Sequence, residues 1–185
     1  MAFIEGGGIR SYSQELRKGW FKMDFSWLKK YSCIDDDFVN NRHKYKHKFT
    51  PIGSGEIAEQ EKRMRRQFPR ELKEFYNQIG YGVFGVNDCT YLNYLLPSRD
   101  VADSVLEEGI FEYNDFLDEI DMETKMIFFD TGDNTFLCLD LEKMDDDGRC
   151  PVVYTTDTKY VCLARSLDEF VRKMDESIAY YADLW

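Results

Sequence analysis

The sequence predicts an α+β fold with a largely antiparallel sheet meander, flanked by N-terminal and C-terminal helices. An apolar stripe at helical spacing precedes a series of short apolar runs, and a second such stripe follows them. Turn residues separate most of these runs, which is typical of strands that pair antiparallel. The order of elements therefore favours an α+β fold over a doubly wound parallel sheet.

Two short helices are predicted before the strands. Ser54 or Gly55 can cap the first, which runs over residues 56–67. Pro69 begins the second, over residues 70–79, because proline fits the first helical turn. Its apolar residues follow the spacing i, i+3, i+4 and i+7, at Leu72, Phe75, Tyr76 and Ile79.

The strands and the last helix are marked by turns and by a cap. We predict strands over residues 91–96, 126–129, 135–141, 152–155 and 160–164, and short helical pieces over 98–108 and 113–120. The residues Asp130–Asn134 form the turn of a hairpin, and Asp145–Gly148 form a second turn. Ser166 and Glu169 make a capping box at the start of the last helix, in which each side chain accepts a backbone N–H.

The length and the aromatic content indicate one main domain with an appendage. We predict that residues 1–50 are a partly ordered N-terminal extension and that residues 51–185 form the domain. An aromatic segment of the extension, which includes Trp20, Phe21 and Phe25, is expected to pack on other residues, whereas Arg42–Lys48 is expected to be an exposed basic loop. The chain contains 14 Phe, 12 Tyr and 3 Trp, which is enough for a sizeable core and excludes bulk disorder.

The cysteines and the hydropathy pattern indicate where the protein works. There are five cysteines, an odd number, and no CxxC pair, which disfavours a disulfide framework or a structural zinc site and fits a reducing cytoplasm. No apolar run approaches 18 residues, and three glycines stand where a signal peptide needs an apolar core. We therefore expect a cytoplasmic protein without membrane insertion.

The net charge of −11 is concentrated in one stretch of the chain. Residues 100–147 contain 17 Asp/Glu against two Lys/Arg, whereas residues 1–99 carry an excess of positive charge. A strongly acidic surface repels the phosphate backbone of nucleic acids and speeds association with basic proteins. The pattern favours a basic protein partner and no nucleic acid, and the alternative is a solvated face that maintains solubility.

Residues 103–123 are the best candidate for a binding surface, since they contain nine acidic residues. The interleaved aromatics Phe111, Tyr113 and Phe116 either anchor a partner or fill the core beneath the charges. The basic run 62–70 is expected to pair internally rather than to bind RNA. The predicted partner-binding residues are Asp103, Glu107, Glu108, Glu112, Tyr113, Asp115, Asp118 and Glu119.

Catalytic and metal-binding motifs are weak in this sequence. His43 and His47 have the i, i+4 spacing of a metal site, but lysines flank them and no carboxylate accompanies them. Asp130 and Asp133 border a hairpin turn, where acidic residues are common for conformational reasons, so a hydrolase centred on them is the weakest hypothesis. We predict a protein that is not an enzyme, with no cofactor and no metal site.

Several short motifs follow one another in a distinctive order. They are Ser54–Ile57, Phe68–Tyr76 and Gly80–Gly82, followed by Ile127–Asp130, Phe136–Asp140, Val152–Tyr154 and Ala164–Phe170. This order resembles the SMI1/KNR4 family of the SUKH superfamily, which typically begins with a charged helix, a Leu-Pro-like step, a helix ending near Phe-Tyr and a glycine-rich exit. The resemblance covers about residues 52–181, with Phe68 where the family often has leucine.

The resemblance implies a non-enzymatic domain that acts by binding other proteins. Many bacterial members look like immunity proteins, which neutralise toxins that are often nucleases, and fungal members regulate cell-wall and signalling processes. Our first hypothesis is therefore an immunity or antitoxin protein whose acidic face occludes the active site of a basic, nuclease-type toxin. The alternative is a regulatory scaffold that uses residues 1–50 as a docking arm.

Overall fold

The computed structural model describes residues 23–31, 40, 42–87, 92–132 and 135–184. The α-helices of these ranges are α1 (Glu56–Met64), α2 (Arg70–Gln78), α3 (Ser98–Leu106) and α4 (Leu167–Glu176). The strands are β1 (His47–Thr50), β2 (Tyr81–Phe84), β3 (Tyr94–Leu95), β4 (Lys125–Gly132), β5 (Thr135–Asp140), β6 (Val152–Thr156) and β7 (Lys159–Ala164). Short 3-10 helices occur at Ser26–Tyr31, Arg42–Lys44, Gly109–Phe111, Asp115–Leu117, Leu141–Lys143 and Tyr180–Asp183.

One sheet contains the seven strands in chain order, each antiparallel to its neighbour. The predicted α+β meander is thereby confirmed. The hairpin of β4 and β5 is its centre, and most side chains on both of its faces are buried. Tyr91, at the start of the strand predicted over 91–96, lies outside the described residues, as do Asp133 and Asn134 of the hairpin turn.

Much of the core lies between the sheet and the helices α2 and α4. The predicted stripe of α2 is buried, as are Phe170, Val171 and Met174 of α4. Aromatic rings meet edge to face there: Phe129 of β4 lies 5.2 Å from Phe170, measured between ring centroids. Such a pair adds about 1 kcal/mol to the gain from burial. These contacts fix α4 on the middle of the sheet.

The start of α4 is capped by two side chains, one of which is distant in sequence. Ser166 Oγ accepts the N–H of Glu169, which is half of the predicted capping box. The Glu169 carboxylate, which is the other half, also accepts a backbone N–H, that of Arg165 one residue before the cap. The buried carboxylate of Glu71 accepts the N–H groups of Leu167 and Asp168, at 2.8 and 2.9 Å.

Part of the N-terminal extension packs on the sheet. The exposed loop predicted for Arg42–Lys48 is wrong at its end, because β1 begins at His47 and pairs with β2. His47 is buried, since its ring lies among the rings of Phe49 and Phe84. Phe25 of the predicted aromatic segment is buried, whereas Trp20 and Phe21 lie outside the described residues. The domain boundary at residue 51 stays a prediction.

Candidate partner-binding surface

The predicted partner-binding residues lie on α3 and on the chain that follows it to β4, which we call the acidic segment (residues 98–123). After α3 the backbone forms consecutive tight turns, in which N–H groups bond to carbonyls three residues earlier. Phe111, Leu117 and Ile120 point into the core and hold these turns against the body of the protein. The residues between them face solvent, so the turns carry a dense row of exposed side chains.

Arg63 of α1 holds the beginning of this segment. Its guanidinium donates hydrogen bonds to the carboxylates of Asp103 and Glu108 and forms ion pairs with both. These hydrogen bonds, to Glu108 first and then to Asp103, raise the pKa of Arg63. The side chain of Asp103 is only 12% exposed and also lies 3.8 Å from Arg99 Nε. Asp103 therefore has a structural role and is poorly placed for direct contact with a partner.

Arg66 holds the other end of the segment. Its guanidinium donates to the backbone carbonyls of Met122 and Glu123, at 2.7 and 2.5 Å. Next to this contact, the carboxylate of Asp121 accepts hydrogen bonds from the hydroxyl of Thr124 and from the N–H of Glu123, and these bonds lower the pKa of Asp121. The internal pairing that we predicted for the basic run is thus confirmed for Arg63 and Arg66.

Five of the predicted carboxylates are exposed and available to a partner. They belong to Glu107, Glu112, Asp115, Asp118 and Glu119, and within the described ranges their side chains form no ion pair or hydrogen bond. Uncompensated charges of one sign produce a potential that extends about 8–10 Å at physiological ionic strength. This part of the surface therefore attracts cations and basic proteins.

Three large apolar side chains are exposed among these carboxylates. Ile110, Tyr113 and Phe116, which we call the apolar triplet, are 75%, 92% and 52% exposed. Phe111 is different, because it is buried with its ring 5.8 Å from that of Phe136. Of the three aromatics considered as anchors, the structure assigns Phe111 to the core. Ile110 was missed, because periodicity does not tell which of two adjacent apolar residues in a tight turn faces inward.

The other candidate sites of the sequence have structural explanations. The carboxylate of Asp130 accepts the N–H of Gly132 at 2.7 Å, as expected in a turn, and Asp133 lies outside the described residues. His43 is exposed in a 3-10 helix, whereas His47 is a buried strand residue, so they do not share the face of one helix. In the part of the chain that the structure describes, no three His, Cys, Asp or Glu residues are grouped to hold a metal ion, and no helix is long and apolar enough to cross a membrane.

Comparison with known proteins supports the resemblance noted in the sequence. The model of a SUKH family described as SMI1-KNR4 cell-wall matches residues 54–171. The chain belongs to the SMI1/KNR4 family. The immunity protein YxxD of Bacillus subtilis (strain 168) is 32% identical to it over 139 residues, which cover 74% of this chain and 88% of that protein.

The region matched to the SMI1/KNR4 family contains the complete acidic segment. It begins just before α1 and ends within α4, so it includes both arginines that hold the segment. Strand β1 and the 3-10 helix Ser26–Tyr31 lie before it in sequence, although they contribute buried side chains to the same core.

Proposed function

We propose that this SMI1/KNR4 protein is an immunity protein, which binds a toxin and neutralises it without catalysis. The name of the Bacillus subtilis relative supports this role. The structural observation that carries the proposal is the set of five exposed carboxylates without internal partners on the acidic segment. A surface of this kind fits a basic protein partner and repels nucleic acid.

The proposed mechanism is occlusion of the toxin's active site. A nuclease holds the phosphates of its substrate with Lys and Arg side chains, and carboxylates on the acidic segment would occupy the same positions. Exposed charges of this kind act mainly on the association rate and on its dependence on salt. Binding of this type protects a cell from a toxin in its own cytoplasm, which is where we place the protein.

The proposal is tested by capture followed by a growth assay. The tagged chain is purified from its native cell near physiological salt, and each captured protein is expressed alone and together with the chain. We expect a basic protein that arrests growth when it is expressed alone and is tolerated when the two are co-expressed. Captured proteins that never arrest growth would contradict the immunity role and would support the regulatory scaffold.

Charge reversal tests whether the acidic segment makes the contact. One variant changes Glu107, Glu112, Asp115 and Asp118 to Lys, and a control variant makes the same change at the exposed residues Glu59, Asp146, Asp157 and Glu176. The first variant should lose protection and associate at least about tenfold more slowly, whereas the control keeps protection. Equal protection by both variants would assign the contact to another face.

A further inference from the structure

We propose that the apolar triplet inserts into an apolar recess on the toxin, and that Lys and Arg residues surround this recess. This inference rests on the proposed function and adds the part of the surface that determines the lifetime and the specificity of the complex. Charge alone does not select one basic protein among many, because all of them are attracted by the same carboxylates. A second recognition element is therefore needed, and Ile110, Tyr113 and Phe116 have the chemistry to supply it.

The exposure of the triplet has an energetic cost to the free protein. Burial of side chains the size of Ile or Phe is favourable, so their exposure leaves this hydrophobic stabilisation unused in the free protein. Single exposed apolar residues are normal, but these three lie within seven residues, in the most acidic part of the chain. The described part of the chain exposes only four other large apolar side chains, at Leu92, Met144, Tyr160 and Leu184. The triplet therefore stands out as an unused apolar surface.

The backbone holds the triplet in place before any partner binds. Tyr113 has a φ of 61°, in the left-handed region that residues other than glycine rarely adopt, and its ring points into water. The side chain of Asn114 accepts the N–H of Phe116 at 3.1 Å and begins the next 3-10 turn. Because Phe111 and Leu117 are buried on either side, these turns lose little freedom on binding, which favours affinity.

The chemistry of the partner follows from the arrangement of charges. Glu112 and Asp115 alternate with the triplet along the chain, and Glu107, Asp118 and Glu119 flank it. A flexible polycation would pair with the carboxylates but leave the apolar side chains in water. A folded protein that has an apolar recess within a cationic rim satisfies both sets of residues. Aromatic anchors in such recesses usually provide the largest share of the binding energy.

A photo-crosslinking residue at position 113 tests where the partner sits. The full chain carries benzoylphenylalanine at 113 in the native cell, and the control carries it at 144, where Met144 is 49% exposed in a different loop. We expect an adduct from position 113 only, with the basic protein that arrests growth and at a peptide that contains both apolar and Lys or Arg residues. No adduct from 113, or equal adducts from both positions, would overturn the inference.

Matched variants separate the role of the triplet from that of charge and from folding. Asn tolerates a positive φ, so Tyr113→Asn removes the ring without a cost to the backbone, and Tyr113→Phe keeps it. Toward the captured toxin we expect Tyr113→Asn to raise Kd about 10–100-fold through faster dissociation, at an unchanged salt dependence. Tyr113→Phe and the control Met144→Ser should stay within about threefold.

The two proposals fail in different ways. If Tyr113→Asn binds and neutralises the captured toxin as well as the unmodified protein does, the triplet is not the anchor, although the immunity role stands. If the adduct at 113 contains a basic protein that never arrests growth, the immunity role is wrong. A change confined to the association rate would also overturn the inference, because it would assign Tyr113 to steering rather than to anchoring.

Discussion

His47 and Asp175 connect the first strand of the sheet to the last helix: His47 Nε2 lies 3.2 Å from Asp175 Oδ1. The other ring nitrogen, Nδ1, accepts the N–H of Gly85, which places the ring proton on Nε2, where it is donated to the carboxylate. Burial lowers the pKa of His47 to about 4, although Asp175 acts in the opposite direction. Lys46 also faces Asp175, at 2.6 Å, and disfavours a second positive charge on the ring.

The first prediction is a loss of stability in acid that depends on His47. The pKa of the ring is 6.5 in its ordinary state and about 4 in the fold. The contribution of the neutral ring to the free energy of unfolding is therefore complete above pH 6.5 and is lost as the pH falls through about 4. The full effect is on the order of 3 kcal/mol. His47→Gln keeps a donor for Asp175 and cannot titrate, so its free energy of unfolding should fall less between pH 6.5 and 4 in urea titrations. If the free energy of unfolding falls equally with pH in the unmodified protein and in His47→Gln, His47 is not the group responsible.

Glu71 gives a pH dependence of the opposite sign. Burial raises the pKa of this carboxyl to about 7, although the two backbone N–H groups that donate to it act in the opposite direction. Its contribution is therefore complete below pH 4.5 and is lost as the pH rises through about 7. His47→Gln serves as the background, because the titration of His47 has the opposite effect on stability. In this background the further change Glu71→Gln should flatten the decline in the free energy of unfolding from pH 5 to pH 8, as measured by urea unfolding. An unchanged decline would mean that another group is responsible.

Removal of the Glu71 side chain tests its role as a cap. Glu71→Ala leaves the N–H groups of Leu167 and Asp168 at the start of α4 without an acceptor. Each buried donor that loses its partner costs about 1–3 kcal/mol. We expect the free energy of unfolding at pH 6 to fall by about 2–4 kcal/mol, whereas Glu74→Ala on the same helix should cost less than about 1 kcal/mol. Similar losses in the two variants would contradict the capping role.

The elements that local patterns encode were predictable. The stripe of α2, the hairpin of β4 and β5 and the cap at Ser166 each depend on residues within one short window. Hydrophobic periodicity, turn residues and side-chain caps report on such windows directly. The same patterns, taken in order, were also sufficient to find the family.

What the sequence did not reveal depends on contacts between distant residues. β1 was missed because its four residues are paired with β2, which is more than 30 positions away, and basic residues surround them in the sequence. The cap from Glu71 to α4 spans 96 positions. Likewise, Arg63 and Asp103 are 40 positions apart, so no local pattern distinguishes Asp103 from the exposed carboxylates that follow it. Tertiary packing decides each of these cases.

A glycine at the pairing of β1 with β2 provides a steric prediction. A Cβ on Gly82, whose φ is 148°, would lie 2.1 Å from the carbonyl oxygen of Lys48 in β1. Gly82→Ala should therefore displace the edge strand and reduce the free energy of unfolding by at least about 3 kcal/mol. Gly55 also has a positive φ but open space around it, so Gly55→Ala should cost only about 1 kcal/mol. Urea titration of both variants checks this, and equal losses would show that φ rather than the close approach is decisive.

The last prediction concerns the rigidity of the acidic segment, which Arg63 holds at one end. Arg63→Met breaks the ion pairs to Asp103 and Glu108 and makes the segment more negative. Hydrogen exchange of residues 107–118 should become at least about tenfold faster, because the turns lose an anchor. Association with the captured toxin should become faster, through the added negative charge, and dissociation should also become faster, through the lost rigidity.

A matched variant separates these two effects. Arg165→Met removes the same charge from a side chain that is 89% exposed next to α4. It should change association only slightly and leave dissociation and the exchange of residues 107–118 unaffected. If Arg63→Met accelerates association but leaves dissociation unchanged, the contact of Arg63 with the segment does not contribute to the lifetime of the complex.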